Sequence, residues 1–269
     1  MTGLIDIHAH YTDERYNSEH AGGAEDILRS AFDVSGGVST IINTATNSEN
    51  AKMCIEQAKK FENMYVAVGL HPSDLAYVND PEKEIREIIR LLDNREENKI
   101  VAVGEIGLDY YWKPFDKELQ KKYFELQLEL AQEYGLPAVI HDREAHGDCV
   151  ETVFKYPNVR GVFHSFSGSA EMAKELVSLG WYISFSGVVT FKNARKTVEA
   201  AEIVPLDRIL TETDAPYLTP HPFRGTRNNS LYVSYIVEKL AEIKGISVDE
   251  MAQTVAENAR KLFFTKETF

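Results

Sequence analysis

The feature that most constrains the fold of this chain is a short apolar, β-branched segment that recurs along it, with helical patterns in between. Stretches such as AEDILRSAFDVS and DKELQKKYFELQLELAQEYG place apolar residues three and four positions apart, as a helix packed on a sheet requires. Strands that alternate with such helices predict parallel βα units. The eight strand candidates are LIDIHAH from Leu4, VSTIINTAT from Val38, YVAVGLH from Tyr65, IVAVGEIGLD from Ile100, LPAVIH from Leu136, VRGVFHSFSG from Val159, WYISFSG from Trp181 and RILTETDAP from Arg208.

The length of the chain helps to choose between the parallel architectures. Eight βα units in 269 residues fit an α/β fold with one (β/α)8 TIM barrel better than a doubly wound sheet, which remains the alternative. Near the end, ISVDEMAQTVAENARKLFF begins with a Ser247-x-x-Glu250 capping-box pattern and keeps a helical period, which predicts a closing C-terminal helix. No low-complexity linker divides the chain, so we expect one domain over residues 1–269.

Composition excludes several classes of protein and site. The two cysteines, Cys54 and Cys149, lie far apart without CxxC spacing, which argues against a disulfide framework or a thiolate zinc site, so any metal would be held by nitrogen and oxygen. The net charge of −13 has the wrong sign for broad capture of nucleic acid, although bound cations can reverse the field locally. The chain has no membrane-spanning run and no signal-like start, so we expect a monomeric, cytoplasmic protein without a membrane partner.

The first strand candidate carries two histidines in an HxH pattern. Asp6, His8 and His10 share one strand parity, so we expect all three side chains on the face that looks at the barrel axis. Buried imidazoles without partners are costly unless they bind something, and neutral imidazole is a common ligand of divalent metals. The pattern therefore indicates a metal-binding pair, His8 and His10.

Further polar side chains stand at the trailing ends of other strand candidates. His141 and His164 end the fifth and sixth, and the carboxylates Glu105 and Asp214 end the fourth and eighth. Active-site residues of TIM barrels come from the carboxyl ends of the strands, so residues far apart in sequence converge on one mouth. The predicted metal ligands are His8, His10, Glu105, His141, His164 and Asp214.

Glu105 is the candidate to bridge two cations. Two-metal hydrolases hold their cations roughly 3.5–4 Å apart, and a carboxylate can join them. A modified lysine fills the same place in another hydrolase design, but this strand-end motif contains no lysine. We expect a water activated by two metals to be the nucleophile, with Asp214 accepting its proton and Glu105 as the second catalytic residue.

The ordered motifs DIHAH, GEIGLDYYW, VIHDRE, VFHSFSG and TETDAPYLTP resemble the successive signatures of the TatD family of metal-dependent deoxyribonucleases. GLHP, RGTRNN and ENARKLF are similar to the same pattern, and HDREAHGD and Ser230 depart from it. The resemblance implies 3′–5′ trimming of DNA, with magnesium or manganese as the cofactor. It also implies one cation on His8, His10, Glu105 and Asp214 and a second on Glu105, His141 and His164.

Residues next to the strand-end motifs are candidates for binding substrate. We expect His71, Arg143 and Arg224 to contact phosphates, with Trp112 available for base stacking. Glu212 shares strand parity with Asp214 and is a candidate to orient a ligand. Weaker candidates of the same kind are Tyr110, Tyr111, Lys113 and Arg227.

The sequence leaves the scissile bond and the native metal open. The same site can attack a carboxylic ester or an amide, such as an aminoacyl-tRNA ester, a lactone or a small amide, and a metal-retaining binding protein without activity is a third possibility. Imidazoles with carboxylates suit Zn²⁺, Mn²⁺, Fe²⁺ or Ni²⁺, whereas the family resemblance favours Mg²⁺.

Overall fold

A computed structural model describes residues 2–19 and 22–265 and contains eight parallel strands that alternate with helices. All eight strand candidates are strands, and the fourth has the predicted bounds. The strands are β1 (Leu4–Ala9), β2 (Val38–Thr44), β3 (Met64–Val68), β4 (Ile100–Asp109), β5 (Ala138–Arg143), β6 (Gly161–Phe163), β7 (Tyr182–Phe185) and β8 (Ile209–Thr211).

In the part of the chain that the structure describes, ten α-helices connect or follow these strands. Five of these helices have an N-cap side chain that accepts a hydrogen bond from the backbone N–H three residues further along, which satisfies one of the free donors of the first turn. These N-cap residues are Asn47, Asp80, Asp116, Ser169 and Ser247. The helices of the described chain are α1 (Glu14–Glu19), α2 (Gly23–Phe32), α3 (Ser48–Ala58), α4 (Pro81–Asp93), α5 (Lys117–Tyr134), α6 (His146–Phe154), α7 (Ala170–Ser178), α8 (Arg195–Ile203), α9 (Val233–Lys244) and α10 (Val248–Phe263).

The sheet runs in chain order from β1 to β8 and curls into a barrel, which confirms the predicted (β/α)8 architecture. β8 meets β1 at their carboxyl ends, where Ala9 and Ala215 form a parallel bridge. The amide of Asp214 donates to the carbonyl of His8 at 2.9 Å, and the amide of His10 donates to the carbonyl of Ala215 at 2.6 Å. The backbone of His8, His10 and Asp214, three of the predicted metal ligands, therefore takes part in closing the barrel.

Two separate hydrophobic clusters account for the core. The larger cluster packs the outward strand faces against the surrounding helices. The smaller one takes at least one buried side chain from each strand, including Ile7, Val101 and Leu210, and therefore fills the barrel interior. Leu262 and Phe263 of α10 join this inner cluster, so the predicted closing helix forms the floor of the barrel. No helix of the described part of the chain is both long enough and apolar enough to cross a membrane.

The prediction that Asp6, His8 and His10 face the barrel axis together is wrong for Asp6. Ile5 and Ile7 belong to the inner cluster, whereas the Asp6 carboxylate accepts hydrogen bonds from Thr213 and Ser230. The register between β1 and β2 shifts between Asp6 and Ala9, and strand parity does not survive such an irregularity. Asp6 thus joins β1 to β8 and takes no part in the cluster of imidazoles.

Candidate metal centre

The six predicted ligands lie together at the carboxyl-terminal mouth of the barrel. His8, Glu105 and His141 lie within strands β1, β4 and β5, and His10, His164 and Asp214 follow β1, β6 and β8 closely. His8 and Glu105 are almost fully buried, and Asp214 is the most exposed carboxylate of the set at 15 %. The mouth of the barrel therefore gathers four imidazoles and two carboxylates from five strand ends.

One group of ligand atoms surrounds a point between β1, β4 and β8. His8 Nε2 lies 3.1 Å from His10 Nε2, 3.4 Å from Glu105 Oε2 and 3.7 Å from Asp214 Oδ1. His10 Nε2 lies 3.7 Å from the same Glu105 oxygen and 3.4 Å from the same Asp214 oxygen. These four side chains form the first group.

A second group lies on the other side of Glu105. Its Oε1 atom is 2.7 Å from both His141 Nδ1 and His164 Nε2, and these two nitrogens are 3.3 Å apart. Glu105 therefore turns one carboxylate oxygen to each group, which is the arrangement of a bridging ligand.

The spacing of these atoms fits divalent cations. Ligands about 2.0–2.2 Å from a tetrahedral cation lie about 3.3–3.6 Å from one another, and neighbouring ligands of an octahedral cation about 2.8–3.0 Å. The first group spans 3.1–3.7 Å and the second 2.7–3.3 Å. The nitrogen and oxygen donors suit Mn²⁺, Zn²⁺, Fe²⁺ or Ni²⁺, and the carboxylates suit Mg²⁺.

In three of the imidazoles, the ring nitrogen that faces away from the two groups has a partner outside them. His10 Nδ1 donates to the carbonyl of Thr44 at 2.9 Å, so its Nε2 faces the first group. His141 Nε2 is 3.0 Å from Asp109 Oδ2, and His164 Nδ1 is 3.2 Å from Glu212 Oε1. Such partners fix the tautomer and orientation of a ligand, so Glu212 has the position that strand parity predicts for it.

The charges of the centre stabilise one another. Burial opposes ionisation of Glu105, but the imidazoles around it, His164 first among them, hold its pKa well below the usual range. Burial likewise opposes a charged His164, yet Glu105 and Glu212 raise its pKa well above the usual value. For His141 the hydrogen bonds to Asp109 and Glu105 outweigh burial and raise the pKa to about 9. Because a cation requires neutral imidazoles, its binding here would release protons.

Local backbone features of β4 bring Glu105 into this position. The pairing of β4 with β5 is irregular between Val103 and Ile106, and both of these side chains pack in the outer cluster, so Glu105 between them points inward. Gly107 has φ +138, and a Cβ there would lie 2.1 Å from the His141 carbonyl oxygen. Only glycine permits this close approach of β4 to β5.

Five of the six side chains, all but His8, line a cavity of about 800 Å³. Trp112 and Arg143 line it, and the Arg143 guanidinium lies 4.3 Å from the ring centre of Tyr111 and 5.5 Å from that of Trp112. Tyr111 and Trp112 are 51 % and 57 % exposed. The rim therefore carries a cation that packs against two accessible aromatic rings, which meet edge to face.

Two substrate-binding candidates lie elsewhere. Arg224 packs its guanidinium 3.6 Å from the ring centre of Phe191 and is not among the residues that line the cavity. Tyr110 donates its hydroxyl to Asp148 of α6 at 2.7 Å. Arg143 and Trp112 are thus the predicted pair that reaches the cavity together with His71.

Sequence reasoning missed three polar residues that hold the centre. Asp109 orients His141, and Gln120 of α5 bonds both the amide and the carbonyl of Asp109. Gln127, two turns further along α5, does the same for Leu70, the residue before His71. Asp109 could have been found, because it has the same strand parity as Glu105; the glutamines gave no signal beyond their places among apolar helix positions.

In comparisons with known proteins, this chain is similar to proteins described as metal-dependent hydrolases. The family described as TatD related DNase matches residues 5–264. The chain is 40% identical over 263 residues to an uncharacterized metal-dependent hydrolase, YabD, of Bacillus subtilis, covering 97% of this chain and 98% of that protein. It is 32% identical over 270 residues to an uncharacterized metal-dependent hydrolase, TatD, of Mycobacterium tuberculosis, covering 97% of each.

A solved structure shares both the fold and the sequence. The structure of YJJV, a TatD homologue from Escherichia coli K12, superposes with a TM-score of 0.88 at 32% identity and covers 97% of this chain and 98% of that one. The likeness extends over the whole barrel.

Proposed function

Because this chain belongs to the family of TatD-related DNases, whose relatives are described as metal-dependent hydrolases, we propose that it hydrolyses phosphodiester bonds at DNA 3′ ends with two divalent cations. One observation carries most weight: Glu105 turns Oε2 to His8 and Oε1 to His141 and His164. A carboxylate shared in this way is what a pair of cations requires.

The residues divide the work between holding cations and moving a proton. His8, His10, Glu105 and Asp214 would hold one cation, and Glu105, His141 and His164 the other. When bound, such a pair of cations acidifies water and neutralises charge that develops on the phosphoryl oxygens.

Asp214 is the carboxylate best placed to take the proton of the attacking water. Both side chains line the cavity, but that of Asp214 is 15 % exposed, whereas that of Glu105 is 4 % exposed and lies between both groups. Burial disfavours the ionised form of Asp214, but the contact with His10 and the other nearby imidazoles keep its pKa below the usual value. Asp214 is therefore an ionised acceptor at neutral pH.

The rim favours a single strand over a duplex. The accessible rings of Tyr111 and Trp112 can stack on nucleobases only if those bases are unpaired, and Arg143 packs beside both rings, where it can meet a phosphate. Stacking contributes about 1–3 kcal/mol per base.

The deciding experiment incubates protein reconstituted with Mg²⁺ or Mn²⁺ with DNA labelled at the 5′ end, single- or double-stranded. We expect stepwise shortening from the 3′ end, faster on single strands, and loss of activity in a His8→Ala/His10→Ala variant. An unchanged rate in that variant, or no shortening under any metal, would refute the proposal.

A base-stacking role for Trp112 is tested in the same assay. Trp112→Ala should raise KM for single-stranded DNA by about 5- to 150-fold while leaving hydrolysis of a small phosphodiester without nucleobases unchanged. Tyr77→Ala is the matched control, because Tyr77 is 73% exposed but does not line the cavity. Equal losses on both substrates would point to damage to the metal centre instead.

A second candidate function keeps the site and changes the bond. Arg143 is the one Lys or Arg among the described residues that line the cavity, and carboxylates are numerous there: Asp13, Asp74, Glu105, Asp109, Asp142, Glu144 and Asp214. Such a lining favours a substrate with an ammonium group, such as an aminoacyl ester. Aminoacyl esters, lactones and RNA in the same assay decide between the two, since turnover of an ester without turnover of DNA would select this alternative.

A further inference from the structure

Among the histidines that the structure describes at the mouth, His71 is the one whose role the metal centre leaves open. It lies on the loop after β3 and lines the cavity, and its Nε2 is 3.5 Å from Glu105 Oε1. Its ligand atom also lies within 4.8 Å of those of Glu105 and His141, a spacing that would suit a metal-binding trio. By distance alone, His71 could therefore take the place of His164 as a metal ligand in the second group.

The other ring nitrogen of His71 decides between these roles. The backbone N–H of Ser73 points at His71 Nδ1 from 3.1 Å, and the Ser73 hydroxyl lies 2.7 Å from the same atom. A backbone N–H can only donate, so Nδ1 must present its lone pair. In a neutral imidazole the proton is then on Nε2.

This tautomer conflicts with metal binding. A ligating nitrogen must offer a lone pair, and Nε2, the atom that faces Glu105, carries a hydrogen instead. His141 and His164 are arranged the other way round, because each has a carboxylate on its remote nitrogen, Asp109 and Glu212. A remote acceptor leaves the near nitrogen free for a cation, whereas a remote donor does not.

The loop holds His71 firmly in this orientation. The amide of His71 donates to the carbonyl of Thr46 at 2.8 Å, and the carbonyl of His71 accepts from the amide of Asp74 at 3.0 Å. Leu70 is fixed at both its amide and its carbonyl by Gln127. A donor that is already held in place does not have to reorient when charge develops on an oxygen in front of it, so the hydrogen bond costs no reorganisation energy.

We infer that His71 is a catalytic hydrogen-bond donor and not a metal ligand: its Nε2–H stabilises the charge that develops on a substrate oxygen beside the second group. The kind of oxygen rests on the proposed function, being a phosphoryl oxygen for a phosphodiester and the carbonyl oxygen for an ester. The tautomer and the absence of His71 from the ligand set do not depend on it.

Metal stoichiometry tests the inference without reference to activity. Mn²⁺ binding to the full-length protein is measured by equilibrium dialysis for wild type, His71→Ala and His164→Ala. We expect His71→Ala to bind as many Mn²⁺ ions per chain as wild type with affinity changed by less than about threefold, and His164→Ala to lose one ion. If His71→Ala also loses one ion, His71 is a ligand and the inference falls.

The tautomer has its own signature. In Mg²⁺-loaded protein labelled with ¹⁵N-histidine, long-range ¹H–¹⁵N spectra should show His71 protonated at Nε2 and bare at Nδ1. The reverse pattern would overturn the inference, and neither spectrum nor stoichiometry is affected if the protein turns out to cleave no DNA.

Kinetics supply the third arm, with the substrate that the protein turns over. His71→Ala should lower kcat by about 100-fold with KM nearly unchanged, the usual effect of removing one donor to a developing oxyanion. Ser73→Ala keeps the backbone N–H that sets the tautomer, so it should lose less than about tenfold. A loss in His71→Ala that appears only in KM would contradict a transition-state role.

Discussion

Asp109 connects the metal centre to the aromatic rim through the two oxygens of one carboxylate. Oδ1 accepts the amides of Tyr111 at 2.9 Å and Trp112 at 3.0 Å, and Oδ2 is 3.0 Å from His141 Nε2. The loop that presents the rings and the imidazole that faces Glu105 are thus positioned by the same side chain.

Asp109→Asn separates these two duties. The amide oxygen of Asn can still accept from the backbone of the rim loop, but its NH₂ group would face the Nε2–H of His141 in place of an acceptor. We expect affinity for one of two Mn²⁺ ions to fall by about 10- to 100-fold, measured by equilibrium dialysis, with circular dichroism and the second ion unchanged. Unaltered affinity for both ions would show that Asp109 does not orient His141.

At the scale of residues, the sequence revealed the six converging side chains because each stands at a strand end. The assignment of Asp6 failed, because a register shift in β1 turns its carboxylate to Thr213 and Ser230. Arg224 follows a strand-end motif, but its guanidinium packs on Phe191, a contact that local sequence does not encode.

Among the elements, α5 is more than a covering helix. Gln120 and Gln127 stand seven residues apart on its buried face and bracket Asp109 and Leu70, which belong to two neighbouring strand ends. Periodicity predicted this helix from its apolar residues. It could not predict the glutamines' role, because their partners are backbone groups brought near only by the closed barrel.

Gln127→Leu should destabilise the fold and disturb the His71 loop together. It leaves the amide and the carbonyl of Leu70 buried without this partner, so the free energy of unfolding should fall by about 2 kcal/mol or more, measured by urea denaturation. Gln132→Leu, on the exposed face of the same helix, is the control and should change it by less than about 0.5 kcal/mol. Equal stability of the two variants would refute the bracing role.

For the whole molecule, the sparse positive charge of the mouth would limit how the proposed DNA substrate is held. The chain carries a net charge of −13, and Arg143 is the one Lys or Arg in the described cavity lining. Each phosphate contact of a single strand contributes a slope of about −0.7 in a plot of log affinity against log salt. Bound cations, and not a basic surface, would then provide most of the attraction.

The dependence of DNA cleavage on salt is therefore expected to be shallow. At fixed Mg²⁺, the logarithm of kcat/KM for single-stranded DNA should fall with the logarithm of KCl concentration with a slope of about −0.7. Arg143→Ala should bring the slope close to zero, and Arg224→Ala should leave it unchanged. A slope of −3 or steeper in the wild type would reveal a basic track outside the cavity.

The floor that α10 builds under the barrel has a kinetic consequence. Leu262 and Phe263 fill the interior together with Val101 and Leu210 from the strands, so nothing passes through the barrel from one end to the other. A molecule that reaches Glu105 has to leave by the opening through which it came. Product would thus leave through the same opening by which substrate enters, and slow release of product would delay the binding of the next substrate.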